Sequence, residues 1–106
     1  MSRIINLTPH EVNIFVKGQR ALVLPASNDP VRLSEKIEQV GEINGIPLYR
    51  VQYVLDRPLP ERQPDTFYVV SRLVKDHAPD RDDFIVPFQL ERALNGAVIG
   101  SKSFAL

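Results

Sequence analysis

Alternating apolar and polar residues in the first quarter of the chain predict a β-hairpin. A short apolar run over residues 3–7 stops at a Thr-Pro pair, and a period-two pattern begins at Val12. A turn centred on Gly18 then leads into the run ALVLP, which ends at Pro25. Glycine adopts positive φ without a steric penalty, so this segment suits a tight turn between paired strands.

Two Asn-Gly pairs, each between apolar runs, predict two further hairpins. Asn44-Gly45 separates VRLSEKIEQVGEI from IPLYRVQYVL, and Asn95-Gly96 lies inside QLERALNGAVIGSKSF. Apolar residues before the first pair fit a helix as well as a strand. Asn-Gly accepts the two positive φ values of a type I′ turn, which favours the strand interpretation. Four residues of the second run then share one face: Tyr49, Val51, Tyr53 and Leu55.

A short helix is predicted after the strand TFYVV, over the segment SRLVKDHA. Ser71 is placed to cap its first turn and Pro79 to stop it. An apolar stripe is expected along one side of this helix, formed by Val70, Leu73, Val74 and His77. The proline-rich segment 56–65 is expected to be an extended loop, because proline neither continues a helix nor donates to a ladder.

These elements predict one domain over residues 1–106, mainly β of the α+β kind. We expect six to eight short strands with one short helix, arranged as a small antiparallel barrel or a curled sheet. Parallel strands need long crossovers that are usually helical, so the scarcity of helix favours antiparallel pairing.

Composition removes several classes of function. Thirteen basic residues balance thirteen acidic ones, which argues against a nucleic-acid binder. The sequence contains no cysteine, so thiolate chemistry, disulfides and cysteine zinc sites are excluded. No apolar run is long enough to span a membrane, and the first ten residues do not resemble a signal peptide. We therefore expect a soluble cytoplasmic protein.

Three segments, INLTPHEV, FYVVSRLVKDHAPDRDDFIVP and NGAVIG, resemble in order and spacing a family of small uncharacterised proteins of bacteriophages, prophages and some bacterial genomes. The matching motifs are the Ile-Asn-Leu-Thr-Pro-His type opening, a Tyr-Val-Val-Ser type strand, and an Arg-x-Asp followed by a proline. Here the motifs fall on residues 6–10 and 68–71, and on Arg81, Asp83 and Pro87. The resemblance covers most of the chain and is weakest over residues 27–65. It implies a phage or mobile-element accessory protein and carries over no functional residues.

Three other polar or aromatic groups have structural interpretations that we favour over functional ones. His10 and Glu11 are adjacent on an extended chain and point to opposite faces, so a turn is a better interpretation than a general base. The acidic segment 76–83 lacks the spacing of a calcium loop and contains a central arginine. Strand aromatics between arginines could stack nucleic-acid bases, but core packing is the simpler role.

The helix start offers the best-founded ligand site. Ser71 and Arg72 could hold a phosphate or carboxylate, with Arg81 contributing charge and His10 or Tyr68 lining the pocket. In the competing interpretation, neighbouring aspartates occupy Arg81 fully and the pair only orders the loop.

Because no nucleophile, base and orienter can be assembled, the sequence favours a non-enzymatic binding protein of phage type. Such a protein would act on a host protein or other host macromolecule, or sequester a small anionic ligand, without a cofactor or metal. The alternatives are a small enzyme with an anionic substrate and a structural protein of the phage particle. Unpaired sheet edges and the apolar C-terminal segment SKSFAL predict a homo-oligomer, most simply a dimer.

Overall fold

The computed structural model describes residues 2–106, which form eight strands and one helix. In chain order these are β1 (Arg3–Asn6), β2 (Val12–Val16), β3 (Gln19–Leu24), β4 (Leu33–Ile43), β5 (Ile46–Leu55), β6 (Thr66–Val69), α1 (Arg72–His77), β7 (Phe84–Arg92) and β8 (Val98–Ala105). The predicted class, mainly β with one short helix, is confirmed.

Six of the strands form a curled, nearly closed barrel-like sheet in the order β1-β6-β7-β8-β2-β3, while β4 and β5 form a separate two-stranded sheet. Antiparallel pairing joins β2 to β3, β4 to β5 and β7 to β8, and it accounts for most paired residues. The pairs β1–β6, β6–β7 and β2–β8 are parallel. These parallel pairs were not predicted from the sequence, which favoured antiparallel pairing.

A β-α-β crossover explains the parallel pairing of β6 with β7. The chain leaves β6 at Val69, passes through α1 and returns at Phe84. This connection is long enough to bring the second strand back in the same direction, which a hairpin turn cannot do.

The core lies on both faces of β6 and β7. Tyr68 and Val70 belong to the cluster that packs with α1, whereas Val69 belongs to the cluster that packs with β2. The same alternation separates Ile85 from its neighbours Phe84 and Val86. Side chains of a strand alternate between faces, so β6 and the first three residues of β7 are buried on both sides, whereas the rest of β7 is largely exposed.

The helix is capped as its sequence predicts. The Ser71 hydroxyl oxygen accepts a hydrogen bond from the backbone N–H of Val74 at 3.2 Å. The predicted apolar stripe was wrong at two positions, because Leu73 and His77 are exposed. The buried side of the helix consists of Val74, Lys75 and Ala78. A six-residue helix has fewer than two turns, so the stripe is too short to be read from spacing alone.

The two Asn-Gly hairpins are both present, but their turns differ. Asn44 and Gly45 have φ values of 53° and 81°, as a type I′ turn requires. At the turn of the β7–β8 hairpin Gly96 has positive φ but Asn95 does not, and the ladder shifts register near Arg92. The Gly96 N–H donates to the Ala93 carbonyl, which is typical of a type I turn followed by a bulge.

The β4–β5 hairpin, residues 33–55, extends away from the rest of the protein, and we call it the arm. Only its base residues Leu33 and Leu55 are partly buried; every other arm residue is exposed. The Cα radius of gyration is 17.3 Å, whereas a compact chain of this length has about 13 Å. Within residues 2–106, no helix is long and apolar enough to cross a membrane.

We expect Gly45→Val to destabilise the arm while leaving the six-stranded sheet intact. No atom lies within 4 Å of an added Cβ, so the effect comes from backbone strain at φ +81°. Left-handed backbone costs an L-residue about 1–2 kcal/mol, and a β-branched residue is at the upper end. Amide hydrogen exchange should show lost protection in β4 and β5 alone. Gly41→Val is the control, because it adds the same side chain to the same arm in open space without positive φ. Equal exchange in the two variants would contradict a strained turn.

Candidate functional site

A cleft of about 910 Å³ lies between the NLTPH segment, the start of α1, the base of the arm and the β7–β8 hairpin. Its walls are mainly apolar, and polar side chains occur at a few positions. Its lining includes His10, Asn13, Arg32, Ser71, Arg72 and Leu90. Two of its arginines, Arg32 and Arg72, are exposed and come from different parts of the chain.

The NLTPH segment is a turn held by the side chain of Asn6. Its Nδ2 donates to the carbonyls of His10 at 2.8 Å and Pro25 at 2.9 Å. Its Oδ1 accepts from the Thr8 backbone N–H at 2.9 Å. Asn6 and Thr8 are buried, whereas the exposed His10 lies at the cleft. The motif that opens the chain therefore has a structural role, and it also fixes where His10 is placed.

Ser71 and Arg72 lie at the same cleft as His10, as the sequence hypothesis requires. The Ser71 oxygen is already engaged in the helix cap. Among residues 2–106, Arg72 makes one long ion pair, with Asp76 at 3.9 Å, and both side chains are more than half exposed. The Arg72 guanidinium is thus available to a ligand, and its charge persists at every physiological pH.

Asn13 and Gly100 form the part of the cleft where β2 passes closest to β8. Asn13 Nδ2 donates to Glu11 Oε1 at 3.0 Å, while Asn13 Oδ1 is buried and has no hydrogen-bond partner among residues 2–106. A Cβ on Gly100 would lie 2.5 Å from the Asn13 carbonyl oxygen. Only glycine allows the two strands to lie this close together.

The structure places Tyr68 and Arg81 away from the cleft. Tyr68 is buried, its ring packs edge-on against Phe84 at 6.0 Å, and its hydroxyl donates to the Glu61 carbonyl at 3.2 Å. Arg81 donates from Nε and Nη2 to the two carboxylate oxygens of Asp83, each at 2.8 Å. Of the five candidate residues, three are therefore brought together and two are not.

Arg81 connects two loops. Its Nη2 also donates to the Pro60 carbonyl at 2.9 Å, and its guanidinium lies 4.1 Å from the centre of the Phe84 ring. The hydrogen bond from Arg81 holds the pKa of Asp83 below its ordinary value near 3.8, against the opposing effect of burial. The same bond raises the pKa of Arg81. This geometry is the one expected if Arg81 orders the proline-rich loop.

The aspartates of the acidic segment 76–83 pair with different arginines. Asp82 is bonded to Arg62 and Asp83 to Arg81, while Asp76 faces Arg72. Across the described part of the chain, no group of three or more His, Asp or Glu side chains is close enough to hold a metal ion. The ion pairs of this segment therefore hold the loop after α1 against the proline-rich loop.

Two functional candidates were missed from the sequence, Arg32 and Asn13. Arg32 precedes the arm and is forty positions away from Arg72 in the sequence, so only the fold brings both to one cleft. Asn13 is one position in the alternating pattern of β2, and that pattern does not distinguish it as a ligand. Neither residue carries a local sequence signal.

No family model, no curated protein and no solved structure matches this chain.

Proposed function

We propose that this chain is a non-enzymatic binding protein that holds a small anionic ligand in the cleft. The observation that carries the proposal is an apolar cleft with two available arginines at its rim. The proposal includes a phage or mobile-element origin and action in the host cytoplasm. Those two parts are supported by the sequence resemblance alone.

The size and lining of the cleft suit a small molecule. A volume of about 910 Å³ is at the upper end of the usual range for ligand pockets, which is roughly 300–1,000 Å³. Apolar walls with a few polar groups are also the usual composition of such pockets. A ligand with an apolar or aromatic body and one charged group fits this description.

The charge at the rim favours an anion. Arg32 and Arg72 are exposed, and Glu11 is the cleft's acidic residue. A guanidinium binds carboxylate or phosphate through two parallel hydrogen bonds. The six-residue helix contributes little to this charge, so the arginine side chains supply the attraction. A donor group on the ligand would satisfy the buried Asn13 oxygen.

The polar groups of the cleft favour binding over catalysis. The cleft hydroxyl of Ser71 caps the helix, and among residues 2–106 no hydrogen bond joins it to His10. A nucleophile needs a base within hydrogen-bond reach, and this pair does not supply one.

Arg72→Ala is expected to weaken binding of an anionic probe about ten- to a hundredfold, because a charge-assisted hydrogen bond contributes about 1.5–3 kcal/mol. The probe is anilinonaphthalene sulfonate, an anion with an aromatic body that fluoresces in apolar surroundings. Fluorescence titration of the folded protein gives the dissociation constant. Arg32→Ala should have an effect in the same direction.

Two other arginines serve as controls. Arg50→Ala removes an exposed arginine from the arm and should leave the dissociation constant unchanged. Arg81→Ala should lower the melting temperature without changing affinity per folded molecule, because Arg81 lies outside the cleft. Wild-type affinity in both Arg32→Ala and Arg72→Ala would rule out the cleft as an anion site. Native mass spectrometry of protein purified from its host would then identify the natural ligand class.

A further inference from the structure

The arm has an amphipathic cross-section in its middle part. Directly paired residues point to the same face, and the register pairs Ile37 with Val51, Gln39 with Tyr49 and Glu35 with Tyr53. We call this side the apolar face of the arm. The middle of the opposite face pairs Lys36 with Gln52 and Glu38 with Arg50, so it is polar there. Towards its two ends this face also has exposed apolar side chains: Val54 near the base, and Leu48, Ile43 and Ile46 near the turn.

The apolar face continues the hydrophobic core beyond the body of the protein. Leu33 and Leu55 form the first pair on this face, and both pack against the core cluster that contains α1. The next apolar side chains are exposed: Ile37 by 59%, Tyr49 by 52%, Val51 by 47% and Tyr53 by 43%. An amphipathic sheet needs a second layer over its apolar side, and nothing within residues 2–106 supplies that layer.

The arm also lacks the support that a hairpin needs in water. A two-stranded sheet is marginal by itself and is stabilised by further strands or by packing against another element. The arm has neither, because its two strands form a separate sheet and are exposed from Ser34 to Val54.

We infer that the apolar face of the arm is an interface on which the arm of a second copy of this chain packs. Two such faces stacked about 10 Å apart form a two-layer sandwich, the usual arrangement for sheets that are apolar on one side. This inference concerns the arm and does not depend on the proposed ligand cleft.

The surface is self-complementary. Its centre, around Ile37, Tyr49 and Val51, contains no charged residue, and its two carboxylates, Glu35 and Glu42, lie toward the two ends. A two-fold stack centred on Val51 therefore brings apolar groups together in the middle and places the carboxylates on either side of them. Depletion of charge at the centre with a polar rim is the usual composition of protein interfaces.

The area is sufficient for a specific pair. Half-exposed tyrosine and aliphatic side chains leave roughly 400 Å² of apolar surface on each copy. With the flanking polar residues, two stacked faces remove roughly 1,000 Å² from water, which reaches the lower limit for biological interfaces. Other copies of the chain are present wherever this protein is made. A second copy can therefore cover the apolar face without any other protein.

Sedimentation equilibrium of three proteins tests the interface. The wild type should have twice the chain mass of 12.0 kDa. Val51→Lys puts a charge at the centre of the apolar face and should sediment at 12.0 kDa at the same concentration. Gln52→Lys introduces the same residue one position along the strand, on the polar face, and should remain dimeric.

Amide hydrogen exchange on the same samples separates loss of association from loss of fold. The Val70 N–H, which donates to the Ile85 carbonyl in the six-stranded sheet, should stay protected in all three proteins. Arm amides should be protected in the wild type and in Gln52→Lys, and exposed in Val51→Lys. A wild type that stays at the monomer mass at millimolar concentration would overturn the inference. So would a Val51→Lys protein that still dimerises.

Discussion

Gly100→Ala is expected to lower the free energy of unfolding by about 2–3 kcal/mol, the upper part of the usual range of about 1–3 kcal/mol for forcing an extra group into a packed site. The added Cβ would lie 2.5 Å from the Asn13 carbonyl oxygen and 2.8 Å from a Phe15 ring carbon. The first of these neighbours is backbone, so the clash cannot be relieved by rotating a side chain. The two strands must separate, and thermal or denaturant unfolding measures the cost.

Because of where Gly100 lies, moving β8 away from β2 should strongly destabilise the fold. β8 joins β2 through a short parallel contact at Ile14 and Ser101, and this contact connects the β2–β3 hairpin to the other four strands of the curled sheet. Ser101 is buried beside it. Moving the strands apart weakens the join that keeps the sheet nearly closed.

Gly41→Ala is the matched control for Gly100→Ala. It makes the same substitution in a strand, but its Cβ would meet no atom within 4 Å and its φ is not positive. Its expected effect is within about 0.5 kcal/mol, as for an ordinary surface change. If both variants unfold at the wild-type midpoint, the close approach of β8 to β2 is absent in solution.

Local chemistry made the turns and the helix predictable from the sequence. Asn44-Gly45 carries its own conformational preference, and Ser71 and Pro79 mark the two ends of α1 without reference to distant residues. A type I′ turn was the wrong expectation for the second Asn-Gly pair, where the pairing of the two strands determines the turn type. Asn95-Gly96 has the same sequence as the first pair, yet the register of β7 on β8 gives it a different turn.

Sheet order and the composition of the cleft depend on contacts between distant segments. β1 pairs with β6 across most of the chain, and no periodic pattern specifies that register. His10, Ser71 and Arg72 could be predicted as ligand-site residues from the sequence because their residue types suit an anion. Arg32 could not be predicted, because its role depends on where the base of the arm lies.

Asp83→Ala is expected to lower the free energy of unfolding by about 2–3 kcal/mol, somewhat less than the 3–5 kcal/mol typical of breaking a fully buried ion pair. The side chains of Arg81 and Asp83 are only 17% and 9% exposed. Removing the carboxylate leaves the guanidinium over the Phe84 ring with only the Pro60 carbonyl as an acceptor. The proline-rich loop should then lose its attachment to the loop after α1. Chemical denaturation at neutral pH measures the effect.

The neighbouring aspartate and the pH dependence distinguish this ion pair from general surface charge. Asp82→Ala removes the partner of Arg62, but those side chains are 76% and 52% exposed, so its unfolding midpoint should match the wild type. The pKa of Asp83 is lowered in the folded state, so its stabilisation is present above its ordinary pKa near 3.8 and is lost as pH falls below it. The stability difference between wild type and Asp83→Asn should therefore be constant from pH 7 to about pH 5 and shrink below about pH 4. A difference that stays constant down to pH 2 would show that the carboxylate acts through its shape and neutral hydrogen bonds, and that its charge contributes nothing.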